Sequence, residues 1–182
     1  MASAEPLIYV FPSYFNDYRK KNGEIVELWY KELREDIMPL VESTYHTYAK
    51  TIDEEGFIAS REHRAFNGYS RGSLLTWDML GKMLPYAKLF LPFSGPAISF
   101  DANAEEQLPF IVEQIEANPD YDFFIYSACG GETDSAYPMT EMIAAMIQDT
   151  DHFSYGQDPA VNNFYFCLTE FPHSSTFGRF MM

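Results

Sequence analysis

Ala65-Phe66-Asn67-Gly68-Tyr69-Ser70-Arg71-Gly72 is the stretch on which the fold turns. Ala65 to Tyr69 reads as a short strand. It runs directly into G-x-S-x-G, and an apolar-periodic helix from Leu74 to Met83 follows. Strand, sharp turn and helix form the context in which that pentapeptide becomes a nucleophile elbow; in an ordinary turn the same five letters arise by chance. A serine held on a tight, strained turn needs small neighbours, so that the backbone folds back and leaves Oγ exposed. The helix then directs its N-terminal amides at the same spot, where they stabilise negative charge.

The same alternation extends in both directions. Leu7 to Phe11 is a continuous apolar run ending at Pro12, as a buried parallel strand would. From Glu24 to Tyr45, Ile25, Leu28, Trp29, Leu33, Ile37, Leu40 and Val41 recur at helical spacing, with Pro39 predicting a kink or break. Lys88 to Leu91, Phe123 to Ala128 and Phe164 to Leu168 read as strands; Ala104 to Ala117 and Met139 to Ile147 read as helices. The spacing of Met139, Met142 and Met146 marks them as core. The pattern defines an α/β fold, a mostly parallel sheet with helices on both faces. Ligands in such sheets bind beyond the carboxyl ends of the strands.

Composition narrows the function classes. The 182 residues, 47% hydrophobic, suffice for one domain spanning 1–182 with a real core. Twelve basic against 27 acidic residues give a net charge of -15, which repels phosphate backbones and anionic lipid, so no nucleic-acid or membrane partner is expected. An aromatic content of 17% excludes disorder. Cys129 and Cys167 are too few for a disulfide framework or a four-cysteine zinc site, and both are expected to be reduced. No apolar run approaches a membrane span, and MASAEP leads straight into a strand-like segment, so no signal peptide is expected in this stretch. No phosphate loop, dinucleotide fingerprint or zinc helix occurs.

A serine hydroxyl needs a histidine to take its proton and a carboxylate to orient that histidine. On this architecture the chain order is serine, acid, histidine. After the strand at Phe123 comes Gly131-Glu132-Thr133-Asp134, and after the last strand comes Glu170-Phe171-Pro172-His173. Ser70, Asp134 and His173 are therefore the catalytic candidates, with Glu132 the rival acid. His46, His63 and His152 read as surface or capping residues. Asp120 and Asp122 precede their strand rather than follow it.

These residues resemble the feruloyl and acetyl-xylan esterases of carbohydrate esterase family 1. Tyr45-His46-Thr47-Tyr48-Ala49 and Ser60-Arg61-Glu62-His63-Arg64-Ala65 through Ser73 carry the likeness, supported by Val10-Phe11-Pro12-Ser13, Pro92-Phe93-Ser94-Gly95, Gly131 to Tyr137 and Asn163 to Phe166. The resemblance implies an α/β-hydrolase fold with Ser70 as nucleophile, His173 as base and Asp134 as orienting acid. It also implies ester substrates on plant cell-wall polysaccharide and neither metal nor cofactor. Family members acting on plant wall are commonly exported.

The chain departs from the family in three ways. Arg71 stands where the family usually has methionine, although its backbone amide can still donate to an oxyanion. Phe171-Pro172 precede the histidine in place of a small residue. No H-G-G or H-G-x-G loop supplies a second oxyanion donor, so a truncated α/β-hydrolase lacking its front strands and the end of its last helix is expected. Leu7 to Phe11, from the same or another chain, is expected to fill the resulting gap beside Ala65 to Tyr69, bringing a backbone amide of Ser13 or Tyr14 to the oxyanion. Self-association into a homo-oligomer would cover the exposed edge. The alternatives to a serine esterase are a weakly active relic serving as a binding or self-associating module, and a thioester hydrolase related to S-formylglutathione hydrolases.

Overall fold

The computed structural model describes residues 7–12 and 22–173. Four parallel strands lie side by side in chain order: β1 (Ala65–Tyr69), β2 (Leu89–Phe93), β3 (Phe124–Cys129) and β4 (Phe164–Leu168). Their register aligns Phe66, Phe90, Ile125 and Phe164 in one row, and all four belong to or pack against the hydrophobic core.

Parallel neighbours require crossovers, and helices supply them. β1 passes to β2 through α4 (Arg71–Asp78) and α5 (Leu80–Met83), β2 to β3 through α6 (Ala104–Glu116), and β3 to β4 through α7 (Met139–Gln148). α4 packs on β1 and β2, and α6 contacts both α5 and α7. A capping box fixes the start of α6: Asn103 accepts from the Glu106 amide while Glu106 accepts from the Asn103 amide. Met142 and Met146 are completely buried and Met139 nearly so, as their spacing predicts.

Ahead of the sheet lie α1 (Asn22–Lys31), α2 (Met38–Thr44) and α3 (Glu54–Ala59). The disturbance expected at Pro39 takes a specific form: residues Glu32–Ile37 wind as a π-helix, and the Met38 amide donates to the Leu33 carbonyl five residues back. Proline cannot donate to the carbonyl four residues earlier and its ring crowds it; widening the preceding turn relieves the crowding. The buried stripe shifts as a result. Trp29 and Leu33 are followed by Met38, whereas Leu40, predicted for that stripe, is exposed; Leu28, predicted for it too, is exposed already ahead of the π-turn.

The family-like Ser60–Arg64 stretch locks the entry to β1. Arg61 is buried; its Nε donates to the Leu84 carbonyl at 2.9 Å and its Nη1 to Asp122 at 2.8 Å. Arg64 donates to Glu42 at 2.7 Å and to the carbonyls of Phe57 and Tyr86. Both guanidiniums therefore satisfy chain ends at the amino edge of the sheet, opposite the loops that carry the candidate chemistry. Cys129 and Cys167 are free thiols.

Within one chain, the expected pairing of Leu7 to Phe11 with β1 is not made. Residues 7–12 form no strand and are all exposed, with Leu7 at 71% and Phe11 at 75%. Among the described residues β1 pairs with β2 alone. An apolar run records a preference for burial, but it does not encode which edge supplies the hydrogen bonds. Ser13 and Tyr14, the expected further oxyanion donors, lie outside the described residues.

Asp78 ends α4 in a costly position. Partial burial pushes its carboxyl from the ordinary 3.8 up to about 6, and no described residue bonds to it. A carboxylate at a helix C-terminus also opposes the macrodipole. Because the folded value lies above the unfolded one, the folded state binds the proton more tightly, and stability falls as pH rises from 3.8 to about 6. Asp78→Asn should therefore stabilise the protein by about 1 kcal/mol at pH 7.5, after allowance for solvent screening of this half-buried group, with the gain vanishing at pH 3.5. Urea midpoints at the two pH values measure this; an equal gain at both would locate the effect elsewhere.

Candidate active site

The ladder of the sheet continues one residue past the strands, pinning the loops along the carboxyl edge. The Ser70 amide donates to the Phe93 carbonyl at 2.9 Å, the Ser94 amide to Ala128 at 2.7 Å, and the Thr169 amide to Cys129 at 2.9 Å. The loops after β1 and β2 are thus each anchored to the next strand, and the loop after β4 is anchored to β3 beside it.

Ser70 occupies φ 57° and ψ -114°, outside the regions a side-chain-bearing residue favours. The turn is held from both sides. A Cβ on Gly68 would lie 1.9 Å from the Gly72 carbonyl oxygen, so β1 and the start of α4 approach too closely for any other residue. Gly72 itself is different: a Cβ there would meet nothing within 4 Å, so steric crowding does not explain this second glycine. Inside α4, Ser73 Oγ and Trp77 Nε1 both donate to the Gly95 carbonyl, at 2.9 and 3.2 Å, tying the helix to the loop after β2.

His173 Nε2 lies 3.0 Å from Ser70 Oγ, and its Nδ1 lies 2.6 Å from Asp134 Oδ1. The structure therefore brings together the serine, histidine and acid singled out by chain order. Asp134 is buried, and each carboxylate oxygen takes two donors. Oδ1 accepts from the Ala136 amide at 2.8 Å as well as from His173; Oδ2 accepts from the Gly130 amide at 2.8 Å and from Ser94 Oγ at 3.0 Å. Burial alone would raise its carboxyl, but the amides of Ala136 and Gly130, then His173 and Ser94, outweigh it and hold the group below the ordinary carboxylate range. This acid is therefore an anion at neutral pH, fixed so that the histidine proton sits on Nδ1 and Nε2 is free to accept from the serine.

Glu132, the rival acid, is exposed and forms no part of this relay. His152 is held by Asp149 at 2.9 Å and Glu116 at 3.3 Å, and His63 stacks on Tyr48 with ring centroids 3.5 Å apart. Asp122 pairs with Arg61 and Lys88 at the opposite edge of the sheet.

Three contributors escape sequence reasoning. Ser94, at φ 51°, reaches from the loop after β2 to Asp134. Tyr69 donates its hydroxyl proton to the His173 carbonyl and lays its ring 4.9 Å from the imidazole. Gly130 leaves room for the Phe171 carbonyl, which a Cβ would approach to 2.1 Å. The rule that ligands bind beyond strand ends points to the loop of Ser94, since it follows a strand as the others do.

Chain order, elbow and relay together define the α/β-hydrolase class. No family model matches the chain. The chain is 34% identical over 168 residues to the endo-1,4-β-xylanase Y of Acetivibrio thermocellus, covering 90% of this chain and 15% of that protein. Among solved structures it resembles a serine-to-alanine mutant of the feruloyl esterase module from Clostridium thermocellum, complexed with sinapinate. There the TM-score is 0.76 and the identity 32%, over 86% of this chain and 56% of the other. A structure of FAE matches with TM-score 0.72 and 34% identity over 81% and 53% of the two chains. The BES protein from Bacillus cereus, at 13% identity and TM-score 0.59 over 98% and 59%, shares the fold. The chain spans little more than half of each of these structures. It has the α/β-hydrolase fold and is similar in sequence and structure to feruloyl esterase modules.

Proposed function

We propose that this protein is a serine carboxylic-ester hydrolase that releases feruloyl or acetyl groups from plant cell-wall xylan. The carrying observation is the continuous relay from Ser70 through His173 to a buried, anionic Asp134, built on a strained turn. In the reaction, Ser70 Oγ attacks the ester carbonyl while His173 Nε2 takes its proton. The negative charge that develops on the carbonyl oxygen accepts from the Arg71 amide. That amide is the first of α4 and has no carbonyl within its own helix to bond, whereas the Ser73 and Leu74 amides are turned to the Ser70 carbonyl. Collapse returns the proton to the departing alcohol, and water repeats the sequence to free the acid and regenerate Ser70.

The names of the relatives support the substrate class: a xylanase and a feruloyl esterase module. Residues 1–182 act in this reading as one α/β-hydrolase-like domain. Incubation with feruloylated xylo-oligosaccharides and with acetylated xylan, followed by chromatography of ferulate and acetate, tests it. Release of either acid is expected; no release, together with no turnover of 4-nitrophenyl acetate, would overturn it.

The homo-oligomer is proposed on a separate observation. Leu7 to Phe11 expose five apolar side chains, and β1 has one edge without a described partner. Light scattering coupled to size exclusion should show a dimer or larger species; a clean monomer at high concentration would refute self-association.

A further inference from the structure

The acidic and basic residues of this chain are unevenly matched, and one arginine stands apart. Arg34 is engaged by Glu54, Arg61 by Asp122 and Arg64 by Glu42. With 27 acids for 12 bases, an arginine finds a carboxylate easily. Arg71, the residue next to the nucleophile, is exposed and has no hydrogen-bond or ion-pair partner among the described residues. Its position is also unfavourable: it is the first residue of α4, whose first turn contains no acid, so a cation faces the positive end of the helix dipole. Folding gains nothing visible from this charge at this place.

The surroundings sharpen the contrast. Among the described residues between the carboxyl end of each strand and the first residue of the following helix, the charged ones are Asp101, Glu132, Asp134 and Glu170 against Arg71 alone, apart from any charge on His173. Asp134 is consumed by the relay, and the other three are exposed without pairing to Arg71. A neutral substrate would leave the guanidinium idle. An anionic one would meet a planar, permanently charged donor carried by the residue that follows the nucleophile, suited to bidentate contact with a carboxylate.

We propose that Arg71 is a specificity-determining residue that selects esters bearing a carboxylate close to the scissile bond. The inference rests on the serine-esterase reading. The carboxylate can belong to the alcohol side, as on a uronic acid of the polysaccharide, or to the acyl side, and the guanidinium chemistry is the same for both.

The test uses matched pairs that differ only in that charge. For the alcohol side these are 4-acetoxybenzoate and 4-acetoxybenzamide; for the acyl side, the 4-nitrophenyl esters of 4-carboxycinnamic and 4-carbamoylcinnamic acid. The readout is the ratio of kcat/KM for the anionic ester to that for its neutral partner. In at least one pair, Arg71→Gln should lower this ratio about fivefold relative to the native protein, the scale of a solvent-exposed ion pair. Arg71→Lys should retain part of the preference, Arg71→Glu should reverse it, and 0.5 M NaCl should shrink it in the native protein. The ratio cancels any general effect of substitution on the neighbouring amide, and the pair that responds identifies the side of the ester. A ratio unchanged by Arg71→Gln in both pairs, with turnover intact, overturns the role of Arg71 alone. Absence of turnover for every ester overturns the esterase reading and this inference with it.

Discussion

Ser70→Ala is expected to lower kcat toward 4-nitrophenyl acetate and feruloyl esters by on the order of 10⁶, the cost of removing a nucleophile that acts as one unit with its base. The expectation follows from geometry: Ser70 Oγ is the group whose proton His173 Nε2 is placed to accept, at 3.0 Å. Ser70→Gly should be equally inactive but differ in stability. The serine sits at φ 57°, a backbone strain that alanine retains and glycine relieves, because only a residue without Cβ adopts this region freely. Glycine should therefore raise the urea midpoint above that of the alanine variant, by about 1 kcal/mol. Stability would then be limited by the same backbone torsion that presents the nucleophile. Residual kcat above a hundredth of the native value in either variant would remove Ser70 from the chemistry.

Much of this arrangement is legible in the sequence because each part has a local cause. β1 and β4 occur where β-prone runs predict them, and Ser70, Asp134 and His173 each follow a strand. Local causes also explain what is obscured. α4 begins at Arg71 rather than Leu74, since Arg71-Gly72-Ser73 has turn composition and only the elbow forces it into a helix. α3 is too short to show a period, although its N-cap is visible in retrospect: Asp53 accepts from the Gly56 amide at 2.9 Å. The π-turn before Pro39 shifts the buried stripe from Ile37 toward Met38, a change that a fixed helical period cannot anticipate. Ser94 and Tyr69 reach the relay only through the register of neighbouring strands, which is a tertiary property. Leu7 to Phe11 is the reverse case, a strong local signal whose partner no local rule supplies.

Asp134→Asn is expected to reduce kcat by about 10³, less than the roughly 10⁴ that follows where the same substitution forces the wrong histidine tautomer. The difference comes from the donors around the carboxylate. Oδ1 faces the Ala136 amide and His173 Nδ1, neither of which can become an acceptor while Nε2 serves Ser70. Oδ2 faces the Gly130 amide and Ser94 Oγ. A hydroxyl can rotate and accept, so the asparagine NH₂ has one tolerable position, toward Ser94. The carbonyl then still holds His173 in the productive tautomer, and what is lost is the negative charge that stabilises the imidazolium. The NH₂ also meets the Gly130 amide, donor against donor in a buried site, which should destabilise the fold by about 2 kcal/mol at pH 7. The sign of the pH dependence is fixed as well. The Asp134 carboxyl lies below its ordinary 3.8 in the folded state, so its contribution is present above that value and lost as pH falls through the folded one. The stability gap between native protein and variant should therefore be full at pH 7 and narrow steadily below about pH 4. Adding Ser94→Ala to Asp134→Asn should widen the catalytic loss, because it removes the group that makes the favourable amide orientation tolerable. A double variant no slower than Asp134→Asn alone, or a stability gap that persists unchanged to about pH 2.5, would contradict this account of how the carboxylate is held.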